Sequence, residues 1–284
     1  MLILALQKSG RLNKQSVQLL KDCGISFANG GNNPLKVTAT NFPLQILYLR
    51  DDDIPECIAD GAADCGIVGE NIIAEKNIKL KTKKKLGFAK CRMSIAFPKQ
   101  MDYNSVKDLN GLSIATSYPG ILQTFLDKNN LNSSIHEISG SVEIAPGIGM
   151  ADCIFDIVST GSTLLGNGLK EVETVLKSEA VLVSNPKLDS KKEKILKRLL
   201  FRISAVKKAA SHKYILLNTP NEKINQISAL LPGMKSPTIM PLAEKGWSSL
   251  HSVINEDDFW QNIEMLKEAG AVNILIIPIE KMIA

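Results

Sequence analysis

Asp156-Ile157-Val158-Ser159-Thr160-Gly161-Ser162-Thr163 closes an apolar run, residues 154–158, with an acid inside it, and then passes through hydroxyls and a glycine towards a helical stretch. A short buried strand feeding a small-residue loop and then a helix is the repeating unit of an α/β fold. The same alternation extends outward. Residues 2–6, 37–40, 46–49, 65–68, 92–97, 113–116 and 180–183 read as short apolar strands. A helix carrying Val17, Leu19 and Leu20 stops at Gly24, and further helices are expected at 121–131 and 190–210. Asp51-Asp52-Asp53 precedes a short helix with Ile54, Ile58 and Ala59, so acids stand at its positive end. Lys81-Thr82-Lys83-Lys84-Lys85 reads as a solvated turn. From residue 212 the rhythm changes: strand 213–217, helix 221–230, strands 238–241 and 250–254, helix 257–268, strand 272–277. That βαββαβ order is the ferredoxin-like plan.

Composition bounds the rest. The chain has 284 residues, 44% hydrophobic and 22% charged, which supplies real cores and excludes wholesale disorder. Aromatics at 5% argue against base stacking along a single strand. Residues 212–284 hold six lysines against eight acids, whereas the rest carries a net +7. That positive balance suits a polyphosphate but is too dispersed for a nucleic-acid partner. Five scattered cysteines form no CxxC and have no His partner at metal spacing, so a disulfide framework or zinc site is not expected. The opening apolar residues are too few for a secretory leader, and the run 271–279 is broken by Asn273 and Pro278. A cytoplasmic protein without membrane attachment is expected.

Against 29 lysines the chain uses arginine only at 11, 50, 92, 198 and 202. Arginine offers a rigid fork for phosphate or carboxylate that lysine cannot copy. Arg198 and Arg202 lie in a lysine-rich helical stretch, but Arg11, Arg50 and Arg92 each flank an expected strand end, where α/β folds gather ligands.

The loop after Asp156 presents backbone N–H groups at a helix start, with Gly161 allowing close approach and Ser159, Thr160 and Thr163 adding hydroxyls. Asp156 can accept from two ribose hydroxyls, so the combination suits a 5-phosphoribosyl group; the alternative is an ordinary helix-capping turn. Glu143, in Gly140-Ser141-Val142-Glu143, shares sugar or magnesium binding with Asp156 or is a first-turn helix acid. Lys8 and Arg11 suit a pyrophosphate or simply face solvent. Arg50 contacts a ligand or pairs with one of the neighbouring aspartates, and Glu70 is a ligand acceptor or a helix cap. The histidines, at 136, 212 and 251, fit no nucleophile–base pattern, and no Gly-x-Ser-x-Gly elbow occurs.

Taken in order, Gln7-Lys8-Ser9-Gly10-Arg11, Leu49-Arg50-Asp51-Asp52-Asp53-Ile54-Pro55, Gly66-Ile67-Val68-Gly69-Glu70-Asn71, Ala115-Thr116-Ser117-Tyr118-Pro119, Gly140-Ser141-Val142-Glu143, Asp156-Ile157-Val158-Ser159-Thr160-Gly161, Ile239-Met240-Pro241-Leu242 and Pro278-Ile279-Glu280-Lys281-Met282 form an ordered set. With them the chain closely resembles the long form of the ATP phosphoribosyltransferase family from residue 5 to its end. The resemblance implies two α/β domains of the periplasmic-binding-protein type, 1–90 plus 180–211 and 91–179, and a regulatory, ACT-like domain at 212–284. It implies attack by N1 of the adenine of ATP on magnesium-bound phosphoribosyl pyrophosphate, with inversion at the anomeric carbon. By the family's motif, Ser159, Thr160, Gly161, Ser162 and Thr163 hold the 5-phosphate, Asp156 and Glu143 the ribose and perhaps magnesium, Lys8 and Arg11 the pyrophosphate. Arg50, Glu70 and Arg92 contact ATP or the leaving group. Histidine, with AMP as a second inhibitor, acts through the last domain at Pro237, Thr238, Gly270 and Ala271, shifting an active dimer to an inactive hexamer. Two positions depart from relatives: Ser162, whose side chain is then not essential, and Gly120, which leaves the following helix start less determined. A solute-binding protein of the same fold, or a pure amino-acid sensor, would bind ligands without turnover.

Overall fold

The computed structural model describes residues 1–27, 35–231 and 236–283. These separate into two compact units, residues 1–21 with 25–196 and residues 22–24 with 197–284. In chain order the first unit begins with β1 (Leu2–Gln7), α1 (Gly10–Asp22), β2 (Lys36–Thr38), β3 (Leu44–Leu49), α2 (Ile54–Ala59), β4 (Cys65–Gly69), α3 (Glu70–Lys76) and β5 (Lys81–Lys85). It crosses into a second lobe as β6 (Cys91–Pro98), β7 (Ser113–Thr116), α4 (Pro119–Lys128), β8 (Ser134–Glu137), β9 (Cys153–Val158), α5 (Ser162–Gly166) and β10 (Leu169–Ser178). It returns as β11 (Ala180–Ser184) and enters the long α6 (Ser190–Ala210), within which the two compact units divide.

Each lobe is built on its own sheet. The first has strand order β2-β3-β1-β4-β11-β5 and the second β10-β6-β9-β7-β8. Strands β1, β3 and β4 run parallel, as do β7, β8 and β9. Parallel strands are covered on both faces, which is why β1 and β4 read as near-continuous apolar runs. Ala5, Ile54, Ile58, Val68, Val181 and Val183 pack together in the first lobe; Met93, Ile95, Phe97, Ile114 and Phe155 do so in the second. This is the two-sheet α/β plan expected from the sequence.

Asp64 is nearly buried and is held by the Ile3 N–H at 2.8 Å and by Lys192 Nζ at 2.7 Å. The helix that carries Lys192 is capped by Asp189, whose Oδ1 accepts from the Lys191 and Lys192 N–H groups.

The lysine-rich stretch is a correction to the sequence reading. Residues 81–85 form β5, paired antiparallel with β11, not a turn. Lysine on an edge strand blocks pairing with foreign strands, so the composition marks an edge. Lys83 turns inward to Glu193 at 3.1 Å.

The second unit continues with β12 (His212–Pro220), α7 (Ile224–Leu230), β13 (Thr238–Pro241), β14 (Trp247–Asn255), α8 (Glu256–Glu268) and β15 (Val272–Pro278). The sheet order β13-β14-β12-β15, antiparallel throughout, is the ferredoxin-like arrangement expected from the βαββαβ pattern. Ile215, Leu217, Leu250 and Ile254 face the two helices over Ile227, Phe259 and Leu266. No described helix is long and apolar enough to cross a membrane.

Candidate active site

Parallel strands of one sheet share a C-terminal edge, where side chains of the following loops converge. In the first lobe that edge aligns Lys8 and Arg11 after β1, Arg50 after β3 and Glu70 after β4. Gln7 is in register with Leu49, and the Lys8 N–H donates to the Leu49 carbonyl at 2.7 Å, so Lys8 stands beside Arg50. Arg50 forms no ion pair with Asp51, Asp52 or Asp53 among the described residues. Partial burial, reinforced by Asp51, raises the Asp52 carboxyl above its ordinary range. Glu70 opens α3 behind Gly69, which holds the cap position, and its carboxylate pairs with Lys85 Nζ at 2.8 Å.

The second lobe presents its own C-terminal edge. Beyond β9 the chain turns at Gly161, whose φ of +83° suits glycine, into the single turn and a half of α5. So short a helix has little dipole, which leaves the loop amides and hydroxyls to receive an anion. Thr160 Oγ1 and Ser162 Oγ lie 3.0 Å apart. Glu143 sits in a short 3₁₀ turn entered through Ser141 at φ 51°. It lines a cavity of about 260 Å³ together with Asp156, Ser159, Thr160, Gly161 and Thr163. Asp156 Oδ1 accepts the Ile157 N–H at 2.7 Å. Burial pushes the Asp156 carboxyl up, the Ile157 N–H opposes this, and the neighbouring Glu143 adds to it.

The two edges meet. Arg11 Nη1 donates to Ser159 Oγ at 3.2 Å, joining the first-lobe rim to the loop of the second. Between them a cavity of about 220 Å³ is lined by Gly10, Arg11, Asp51, Asn71, Tyr118 and Ile157, among others. Tyr118 packs against the cores of both lobes. Burial raises its phenol, with Asp156, Asp51 and Asp52 adding to the effect, so acids from both lobes face this ring.

Arg92 lies at the same edge but is turned to a partner. Its guanidinium grips Glu171 with two hydrogen bonds, and Nη1 donates to the Ser159 carbonyl at 3.2 Å. Ser94 Oγ also donates to Glu171 at 2.8 Å, and Arg92 holds that carboxyl below its usual range. Arg92 thus braces the loop backbone.

A third cavity, about 340 Å³, is lined by Glu70, Lys85, Lys90, Cys91, Arg92, Ser159, Lys177, Ser178 and Glu179. Lys90 and Lys177 are exposed there, and neither forms an ion pair among the described residues. Sequence reading singled out neither lysine, nor Glu171 or Tyr118 as site residues. Lysines are too common here to stand out, and Glu171 lies on β10, a strand whose pattern was not visible. The four expected effector residues do not come together within one chain. Pro237 and Thr238 lie at β13, and Gly270 and Ala271 just before β15, at opposite edges of their sheet.

Residues 50–205 match the family described as ATP phosphoribosyltransferase (HisG), and residues 209–281 match the HisG C-terminal domain. The ATP phosphoribosyltransferase of Cytophaga hutchinsonii is 60% identical over 280 residues, 99% of this chain and 98% of that protein. That of Phocaeicola vulgatus is 53% identical over 283 residues, the whole of both chains. A solved ATP phosphoribosyl transferase (HisG:HisZ) complex from Thermotoga maritima has a chain that aligns with a TM-score of 0.62 at 29% identity, covering 72% of this chain and 99% of that one. Since likeness extends through both the two-lobed part and the C-terminal domain, the chain belongs to the ATP phosphoribosyltransferase family in its long form, enzymes of the first step of histidine biosynthesis.

Proposed function

We propose that phosphoribosyl transfer takes place in the cleft between the two lobes, where Arg11 of one rim meets Ser159 of the facing loop at 3.2 Å. That contact carries the reading, because it joins the cation expected at the pyrophosphate to the loop expected at the 5-phosphate. The amides and hydroxyls of residues 159–163, Ser162 by its backbone, hold the 5-phosphate, and Asp156 with Glu143 orients the ribose hydroxyls. Lys8 and Arg11 neutralise the departing pyrophosphate. Arg50 and Glu70 face ATP along the first rim, Lys90 and Lys177 supply cations for its triphosphate, and Arg92 acts by fixing the loop. No protein nucleophile is required: N1 of adenine displaces pyrophosphate at the anomeric carbon with inversion, and the chain contributes positioning and charge.

Magnesium fits this site as a passenger of the substrate. Among the described residues no three His, Cys, Asp or Glu side chains are grouped to hold a metal, so Glu143 and Asp156 would complete a shell supplied chiefly by substrate oxygens. Bound there, the ion offsets negative charge on the diphosphate.

The functional division runs 1–90 with 180–211, 91–179, and 212–284, the last being regulatory. Because Thr238 and Gly270 lie on opposite sheet edges, a histidine site using both is assembled from two copies of the domain, which couples effector binding to oligomerisation between dimer and hexamer. AMP acts as a second inhibitor, and the enzyme works in the cytoplasm.

The test is ultraviolet absorbance with ATP, phosphoribosyl pyrophosphate, magnesium and pyrophosphatase. A new band from N1-substituted adenine is expected, and histidine should suppress it while sedimentation moves to the larger oligomer. Absence of the band with folded protein would reject the cleft reading; a band indifferent to histidine would reject the regulatory one. The pH dependence supplies a finer check. Glu143→Gln removes a like charge that raises the Asp156 carboxyl, so the acid limb of kcat/KM should move to lower pH. An unmoved limb would show that the two carboxylates do not act together.

A further inference from the structure

Helix α3 of the first lobe and helix α4 of the second meet end to end. The first N–H groups of a helix have no partner within it and must find one elsewhere. In α4 the cap position is held by Tyr118, which provides no side-chain cap. The partner comes instead from the other lobe. Glu75, in the last turn of α3, takes the Gly120 N–H on Oε1 at 2.8 Å and the Ile121 N–H on Oε2 at 2.9 Å. One oxygen serves each donor, so both oxygens are turned to α4, and a negative charge stands at the positive end of that helix. Asn77 ends α3 at φ 48°, two residues beyond Glu75.

Gly120 makes the approach possible. A Cβ built there would stand 2.9 Å from the Glu75 backbone carbonyl and 3.1 Å from Oε1. Backbone cannot yield as a side-chain tip can, so any larger residue drives the two helices apart. The residue just before this junction but one, Tyr118, lines the cleft and touches the cores of both lobes.

We propose that Glu75 is a positioning residue that latches the two lobes. Closing the cleft supplies α4 with its cap and seats Tyr118 against the first-lobe rim; opening the cleft strips both N–H groups of their acceptor. Closure and capping are therefore one event, and a ligand that closes the cleft strengthens the latch. The inference rests on the reading of the cleft as the ATP site.

The test is hydrogen exchange by mass spectrometry on the full-length protein, following the peptide over residues 117–124 and the loop over 157–164, with and without ATP alone. In the native enzyme ATP should slow exchange of the Gly120 and Ile121 amides roughly tenfold, together with the loop. Glu75→Ala should speed those two amides by about tenfold or more, because a charged acceptor is lost. It should raise KM for ATP by roughly tenfold while leaving kcat within about threefold, the signature of a weakened closed state. Gly120→Ala retains the carboxylate but holds it off, and should raise KM in the same direction. A static helix cap predicts amides at 120 and 121 that do not respond to ATP while the loop does; that result, or unchanged exchange in Glu75→Ala, would overturn the latch and leave the cleft reading standing. If ATP slows exchange in neither segment, the cleft reading fails and the latch with it.

Discussion

Asp156→Asn should lower phosphoribosyl transfer by roughly a hundredfold, since the two charge-assisted hydrogen bonds proposed to ribose hydroxyls would become neutral ones, at a loss of about 1–1.5 kcal/mol each. The same change should leave the protein as stable as before or more so. Burial pushes the Asp156 carboxyl up, which means that the folded state tolerates its charge less well than the unfolded chain does. For an acid raised in this way the penalty is fully present above the folded-state pKa and disappears below the unfolded one. Asparagine removes the penalty and keeps an oxygen for the Ile157 N–H. The melting-temperature difference between variant and native protein should therefore be positive near neutral pH and shrink as the pH falls into the ordinary carboxylate range. Thermal scans across that range, run beside the absorbance assay, check both signs. A variant that loses activity and stability together would place Asp156 among structural groups instead of at the substrate.

Arg11→Ala should cost about a hundredfold or more in turnover, the usual effect of deleting one donor from a site where charge develops, about 2.7–4 kcal/mol. Arg11 is exposed at the rim, and its recorded bond is to Ser159 Oγ, so the variant should fold normally. Lysine should not restore the rate, because a single ammonium cannot span both the loop hydroxyl and a phosphate as a fork does. Steady-state rates of Arg11→Ala and Arg11→Lys decide the matter; near-native turnover in either would remove the guanidinium from the mechanism.

Much of this architecture is legible in the sequence. Strands β1, β4 and β11 and the first half of β9 are largely buried and announce themselves as apolar runs, and the βαββαβ domain is read directly from its alternation. β10 was not legible for a physical reason. Its register shifts twice, between Glu171 and Glu173 and between Thr174 and Leu176, so Val172, Val175 and Leu176 follow no period of two. β5 hid behind lysines that belong on an edge, and β8 is four residues on the opposite margin of its sheet.

At the site, strand–loop–helix order indicated which residues share a rim, because parallel strands end together. It did not indicate their partners. Arg92 and Glu171 are separated by 79 residues and meet only because β6 and β10 pair. The pairing of Glu70 with Lys85 depends likewise on β5 being a strand. Nor did that order indicate that Thr238 and Gly270 stand at opposite margins of one sheet, because sheet order is not chain order and two strands lie between them.

The place of β11 bears on how the polypeptide is made. It lies between β4 and β5, with Cys65 in register with Ser184, yet it is synthesised after the whole of the second lobe. All five strands of that lobe fall between residues 91 and 178 and can pair as soon as they emerge. The first lobe, although begun earlier, must wait for its insert strand on the order of ten seconds at ordinary elongation rates, with the apolar flank of β4 uncovered. The first lobe is thus begun before the second but completed after it, and its β4 flank is open to a chaperone in the interval.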